Sequence, residues 1–249
     1  MAQALTEDFR MTDKTLLVIG ASGDVGRGIS RAARVLGWTV VGAARDAAKL
    51  GDLARTLPKE SLGSFYPCTG DVSTQAGARE LWEAASAVAG RIDAVVISVN
   101  APNRSSPLVD WTAEQLAELF QANLLSHFNA AKVMLPLLPD DGMLVGIGGG
   151  TADFVIPGMA PLSMAQAALR MMYRGLARER DGGALVRELM IVSMINGASK
   201  RDKAQPEWLT DDEIGRHVCT ILSHPEDFPD PVIKIAQRAG IGRPQNSSA

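Results

Sequence analysis

Short apolar runs alternate along the chain with longer stretches of helical period. "TLLVIG" leads into residues 25 to 36, "TVVGAA" into 46 to 56, "GSFYPC" into 74 to 89, and "DAVVIS" into a helix from about 112 to 134. "GMLVGIGG" then precedes a helix from about 161 to 180, and "LMIVSMING" precedes one near 211 to 223, with "PVIKI" as a last short strand. This β-then-α punctuation, with apolar runs that are continuous rather than alternating, predicts strands buried on both faces. The expected fold is α/β: a single doubly wound Rossmann-type parallel sheet with helices on both faces.

The pattern also sets expected boundaries. Residues 1–13 read as a flexible extension, 14–242 as the folded domain and 243–249 as a flexible tail. The polar segment "ASKRDKAQPEW" reads as a mobile loop after the sixth strand.

Composition narrows the function classes. A 249-residue chain with 46% hydrophobic and 21% charged residues can bury a substantial core. A formal charge of -3, with cations scattered among acids, gives no basic field, so no nucleic-acid partner is expected. Cys68 and Cys219 lack metal-ligand spacing and read as reduced thiols of a cytoplasmic protein, with no metal site. No apolar run approaches the roughly 18 residues of a spanning helix, so no membrane association is expected.

The chemistry-bearing signal lies in "LLVIGASGDVGRGISRAARVLG", which places Gly20, Gly23 and Gly26 between a strand and an amphipathic helix. Without side chains there, backbone N–H groups can approach a pyrophosphate at the positive end of the helix dipole; Ser22 and Val25 belong to the same turn. At the end of the next strand, "VVGAARDAAKL" sets Ala44 where a carboxylate would bind a ribose 2′-OH, and Arg45 follows. A guanidinium there attracts a 2′-phosphate, so NADP(H) is favoured over NAD(H). Asp46 has a sufficient structural reason as a helix N-cap.

With these residues placed, the chain resembles the short-chain dehydrogenase/reductase family over nearly its full length. The resemblance rests further on "GDVS" with Asp71 and Val72, "DAVVISVNAP" with Asn100, "FQANLLSHF" with Asn123, and "SMINGAS". It implies cofactor contacts from Gly20, Ser22, Gly23, Val25, Gly26, Arg45, Asp71, Val72 and Asn100. The chain departs from the family in its glycine spacing, which is that of extended or atypical members, and in Asn196 standing where a proline precedes Gly197.

The family's usual chemistry couples hydride transfer to a Tyr whose phenol a Lys four residues later acidifies, with a Ser holding the carbonyl oxygen. Set against that pattern, Leu162 falls at the Tyr position, Gln166 at the Lys position and Gly149 at the Ser position. The only tyrosines, Tyr66 and Tyr173, are followed four residues later by Gly70 and Ala177, so no Tyr-x-x-x-Lys exists. Asn123 matches the fourth member of the tetrad. His127, one helical turn beyond it on the same face, is the candidate substitute proton donor.

Two readings follow. One is an NADP(H)-dependent oxidoreductase with a degenerate tetrad, acting on a small molecule already activated as an iminium or conjugated enone. The other is a non-catalytic dinucleotide sensor or inactive partner subunit; lyase or isomerase chemistry on the same fold is a further alternative. A homo-oligomer, dimer or tetramer, is expected under either.

Overall fold

The structure, a computed structural model, describes residues 14–100 and 104–244. The expected extension at 1–13, Ala101 and Pro102 of the turn after Asn100, and residues 245–249 of the expected tail lie outside the described residues.

The first half of the chain lays down β1 (Thr15–Ile19), α1 (Asp24–Val35), β2 (Thr39–Ala44), α2 (Ala47–Thr56), β3 (Phe65–Thr69), α3 (Gln75–Ala89) and β4 (Ala94–Ile97). The second half follows with α4 (Ala113–Phe120), α5 (Ser126–Met134), β5 (Met143–Gly149), α6 (Ala160–Arg178) and β6 (Leu185–Ile191). It ends with β7 (Ile195–Asn196), β8 (Leu209–Thr210), α7 (Asp211–Ser223) and β9 (Val232–Ile235).

Seven strands form one parallel sheet in the order β3-β2-β1-β4-β5-β6-β9. The chain winds outward from β1 in one direction, then from β4 in the other, so the crevice above β1 and β4 is the topological switch point where such sheets bind ligands.

Two apolar layers hold the sheet. Leu16, Val18, Val96, Val145 and Leu189 pack with α1 and α7 on one face. Leu17, Val41, Val95, Leu144 and Val186 pack with α3, α5 and α6 on the other. The doubly wound α/β architecture expected from the apolar runs is therefore the observed one.

Two elements differ from the sequence expectation. The helix expected at 112 to 134 is α4 and α5 joined by a π-helical turn, Gln121–Leu125, which widens the backbone in mid-helix. The polar segment 198–208 holds a 3₁₀ turn at Arg201–Lys203 and lies between β7 and β8, which pair in parallel.

The seam between α1 and α7 has no room for side chains. A Cβ on Gly28 would collide with the Asp211 backbone, and one on Gly215 with the Gly28 carbonyl. Arg31 closes the exposed edge, reaching Asp211 at 2.7 Å and Asp212 at 2.5 Å. Gly28→Ala should therefore destabilise the fold by about 1–3 kcal/mol, the usual cost of overpacking, despite alanine's better helix propensity. Urea unfolding of the two proteins measures this, and equal midpoints would refute it.

Candidate active-site cleft

Three of the resemblance-predicted glycines answer to different constraints. Gly20 ends β1 with φ at +85°, a region that disfavours any side chain, and a Cβ there would run into the Ser98 carbonyl. Gly26 lies inside the first turn of α1, where a Cβ would strike the Gly20 carbonyl. Gly23 has no such neighbour: its Cβ would meet only the Gly20 carbonyl at 3.4 Å. The protein itself does not require glycine at 23, whereas a ligand closing on the turn would.

The first turn of α1 has no side-chain cap, in contrast to α2, α3, α4 and α7, which Asp46, Thr74, Thr112 and Thr210 cap. Its N–H groups and dipole face a cleft of about 400 Å³.

That cleft is lined by Gly20, Ser22, Gly23, Arg45, Asp71, Val72 and Asn100, together with Lys49, Ser98 and Gln121, which the sequence reading did not single out. Asp46 accepts from the N–H groups of Ala48 and Lys49 at 3.0 and 3.1 Å, so its carboxylate is engaged in capping α2. Those bonds, led by the one from Lys49, hold its pKa below the usual carboxylate range. This end of the cleft carries two cations, Arg45 and Lys49, the latter paired with Asp46 at 3.7 Å. Asp71 accepts from the Ser73 N–H at 2.9 Å, which fixes the turn after β3.

Two predicted contact residues lie elsewhere. Gly26 is packing beneath the turn, not lining. Val25 lines a second, inner pocket of about 170 Å³. That pocket joins the outer cleft at Ser98, Val99 and Asn100 and is otherwise walled by Ile147, Gly148, Gly149, Thr151, Leu162, Gln166, Ile191, Ser193 and Ile195.

None of these wall residues titrates in the physiological range. Gln166 is held in place, its Oε1 accepting from the Gly149 N–H at 2.7 Å. A Cβ on Gly149 would meet that oxygen at 3.5 Å, an ordinary contact, so packing does not enforce the glycine. The segments leaving β5 and β6 carry exposed Phe154, Val155, Ile156 and Met194.

The side chain of Asp24 joins the start of α1 to the segment after β7. Its carboxylate accepts from the Ser199 N–H at 2.9 Å and the Ser199 hydroxyl at 2.5 Å. The segment after β7 is thereby fastened to the helix that begins at the glycine turn.

The two predicted catalytic side chains line neither pocket. Asn123 is buried in the π-helical turn, donating from Nδ2 to the Leu119 carbonyl at 2.9 Å. His127 is fully buried, with Nε2 2.9 Å from the Val99 carbonyl and Nδ1 2.9 Å from the Tyr173 hydroxyl. A carbonyl only accepts, so Nε2 carries the hydrogen and the phenol donates to Nδ1. Burial pulls the His127 pKa down to about 4, against the smaller opposing effect of the Val99 bond. Both ring nitrogens of the expected proton donor are thus engaged, one of them by the carbonyl of Val99, which lines both pockets, and the ring itself lines neither.

Tyr173 and Glu188 are the buried groups that sequence reading missed. A Cβ on Gly146 would fall on the Tyr173 ring, and a Cβ on Gly148 on the Glu188 carboxyl. The two glycines of β5 are thus the vacancies into which those side chains fit. The signal was present as a Glu within the otherwise buried strand "LVRELMI".

Glu188 is 0% exposed, and neither carboxyl oxygen has a hydrogen-bond partner among the described residues. Burial raises its pKa to about 7, opposed by the more distant cations Arg170 and Arg174. Burial, aided by Glu188, also drives the Tyr173 phenol well above its ordinary value.

These features match those of known proteins. The family model described as Enoyl-(Acyl carrier protein) reductase matches residues 20–187. A 3-oxoacyl-[acyl-carrier-protein] reductase of rhamnolipid biosynthesis from Pseudomonas aeruginosa is 28% identical over 185 residues, covering 70% of each chain. An NADPH-dependent pterin aldehyde reductase from Arabidopsis thaliana is 26% identical over 175 residues, covering 70% of this chain and 72% of the relative.

Among solved structures, an alcohol dehydrogenase from the archaeon Thermococcus sibiricus complexed with 5-hydroxy-NADP superposes with a TM-score of 0.77 at 24% identity, covering 94% of this chain and all of that one. A dehydrogenase/reductase from Sinorhizobium meliloti gives 0.78 at 20% identity, covering 96% and 99%. The chain belongs to the short-chain dehydrogenase/reductase family, whose enzymes are oxidoreductases.

Glu188 makes a measurable prediction about stability. Its folded-state pKa lies above the unfolded value near 4.5, so the folded state holds the proton more tightly, and stability present below pH 4.5 is lost as pH rises through about 7. Glu188→Gln should leave the melting temperature at pH 5 nearly unchanged and raise it at pH 8.5, by up to about 3 kcal/mol of stability at 1.36 kcal/mol per unit. Calorimetry at the two pH values tests this; a variant no more stable than the parent at pH 8.5 refutes it.

Proposed function

We propose that the chain is an NADP(H)-dependent oxidoreductase that works without the Tyr-Lys-Ser machinery of its family, on a small molecule already activated as an iminium or conjugated system. The observation that carries this reading is the inner pocket. Leu162, Gln166 and Gly149, at the three positions assigned to Tyr, Lys and Ser, stand together on one wall, and no acid or base stands beside them.

The outer cleft suits a dinucleotide phosphate: a glycine turn that only a ligand would need to keep bare at Gly23, an uncapped helix terminus, and Arg45 with Lys49 for a 2′-phosphate. Asp71, Val72 and Asn100 would line the adenosine and its approach to the inner pocket.

When bound, such a cofactor supplies hydride. What this chain supplies is position and exclusion of water: apolar walls from Val25, Ile147, Leu162 and Ile191, with the Gln166 amide pinned to Gly149. A pocket lacking an acid forgoes the roughly 10²- to 10⁴-fold that general catalysis gives, so a substrate needing little protonation suits it. Support in kind comes from the description of the family model, an enoyl reductase, and from one relative, the NADPH-dependent pterin aldehyde reductase.

The same pocket also favours a second reading, a dinucleotide sensor or inactive partner subunit. Exposed Leu125 and Phe128 beside α5, and Met164 and Met171 on α6, offer apolar surface for a homodimer or tetramer under either reading.

Fluorescence titration should show NADPH binding more tightly than NADH, and Arg45→Ala should weaken NADPH about tenfold or more while leaving NADH little changed, since a bond between charged groups is worth about 1.5–3 kcal/mol. Failure of both nucleotides to bind at millimolar concentration overturns the cofactor assignment. Deuteride transfer from labelled NADPH to a panel of carbonyl, imine and enone compounds tests turnover. Transfer to none of them, with NADPH bound, moves the assignment to the sensor or partner subunit.

A further inference from the structure

The proton chemistry missing from the pocket wall lies one layer behind it. Gly148 lines the inner pocket, and the space its side chain would fill is taken by a carboxyl oxygen of Glu188. Glu188 sits on β6 in register with Gly146, fully buried, with neither oxygen hydrogen-bonded among the described residues. A buried polar group without partners costs stability, and such groups in native proteins ordinarily answer to a ligand, a water or a reaction.

Nearby cations act on it without a hydrogen bond to it among the described residues. Arg170, Tyr173 and Arg174 face it from α6, and behind Tyr173 stands His127 of α5. Arg170 is committed to Asp153 and to the Ala152 carbonyl, and Lys234 of β9 is drawn to Asp153 at 2.5 Å. Tyr173 donates to His127. None of these identified bonds goes to the carboxyl, whose oxygen is enclosed against Gly148, a residue of the inner pocket wall.

We propose that Glu188 is the proton store of this site, delivering through the gap at Gly148 the proton that no residue of the pocket wall can give. This rests on the oxidoreductase reading above. For a conjugated carbonyl substrate, hydride from a reduced nicotinamide dinucleotide forms a C–H bond at the far alkene carbon and leaves an enolate. The Glu188 O–H bond breaks, and its proton passes by way of an intervening water to the enolate. The carboxylate that remains takes a proton back from solvent after product leaves. An iminium substrate needs no such proton, because hydride addition alone yields a neutral amine. Glu188 acts through the strand and the water, so it is a positioning and proton-holding residue and not one that touches substrate.

The two substrate classes separate this proposal from the reading it rests on. With NADPH as donor, 2-cyclohexenone and N-methyl-3,4-dihydroisoquinolinium serve as probes, one needing a proton and one not. Wild-type enone reduction should fall as pH rises through about 7 while the iminium rate does not follow that profile. Glu188→Gln should lower the ratio of enone to iminium rates at least tenfold and flatten the pH profile of the enone reaction. Glu188→Asp, which keeps the acid, should restore the pH dependence in part, and it stands in should the Gln variant not fold.

An unchanged rate ratio and pH profile in Glu188→Gln overturns this proposal alone. If only the Asp variant folds, an enone pH profile with no titration in it overturns the proposal as well. Turnover of neither probe by the wild-type protein, with NADPH bound, overturns the oxidoreductase reading and the proposal together.

Discussion

Everything distinctive about this cleft depends on a lack of side chains along β5. A strand packed between two helical layers ordinarily presents bulky residues to both, as β1 and β4 do here. β5 instead presents Gly146 and Gly148 to the layer of α5 and α6, and the space is filled from the neighbours, by Tyr173 from the helix and Glu188 from the adjoining strand. Close packing leaves no third option, since a void of that size would cost several kcal/mol and a second side chain would not fit. The glycines therefore do not loosen the sheet. They transfer the right to occupy its surface from one strand to its partners, and the partners that take it up are polar.

That exchange accounts for both the emptiness and the hidden chemistry of the site. The wall seen from the cleft is Leu162, Gln166 and Gly149, which can shape and exclude but not protonate. The groups that can exchange protons, Glu188 and the Tyr173–His127 pair, are behind the strand, where burial shifts each toward its neutral form. A neutral imidazole bonded at both nitrogens is a fixed strut between α5, α6 and the end of β4. The Glu188 carboxyl, by contrast, has no hydrogen-bond partner among the described residues.

Much of this fold was legible in the sequence because parallel strands buried on both faces announce themselves as unbroken apolar runs, and each here is closed by a glycine, an N-cap or a polar turn. Arg45 and the glycine turn were legible for the same local reason: their neighbours in sequence are their neighbours in space. The inner pocket was legible only in part. Leu162, Gln166 and Gly149 could be placed by motif, whereas the burial of His127 could not be read, because helical spacing from Asn123 says which face a residue shares and not whether that face meets a cleft or a core. The π-helical turn between them makes spacing a poorer guide still. Glu188 was missed because a charge within an apolar strand gains meaning only once the facing residues are known to be glycine.

Position 149 carries a further consequence. The strand there has extended backbone, φ −120° and ψ 151°, and room for a small side chain against the Gln166 amide. A Cβ at that point would meet its nearest neighbours at ordinary contact distances, and in the genetic code serine is one base from glycine. The main chain thus leaves room at 149 for a small side chain that this protein does not carry, so a serine there would not require a different path of the strand.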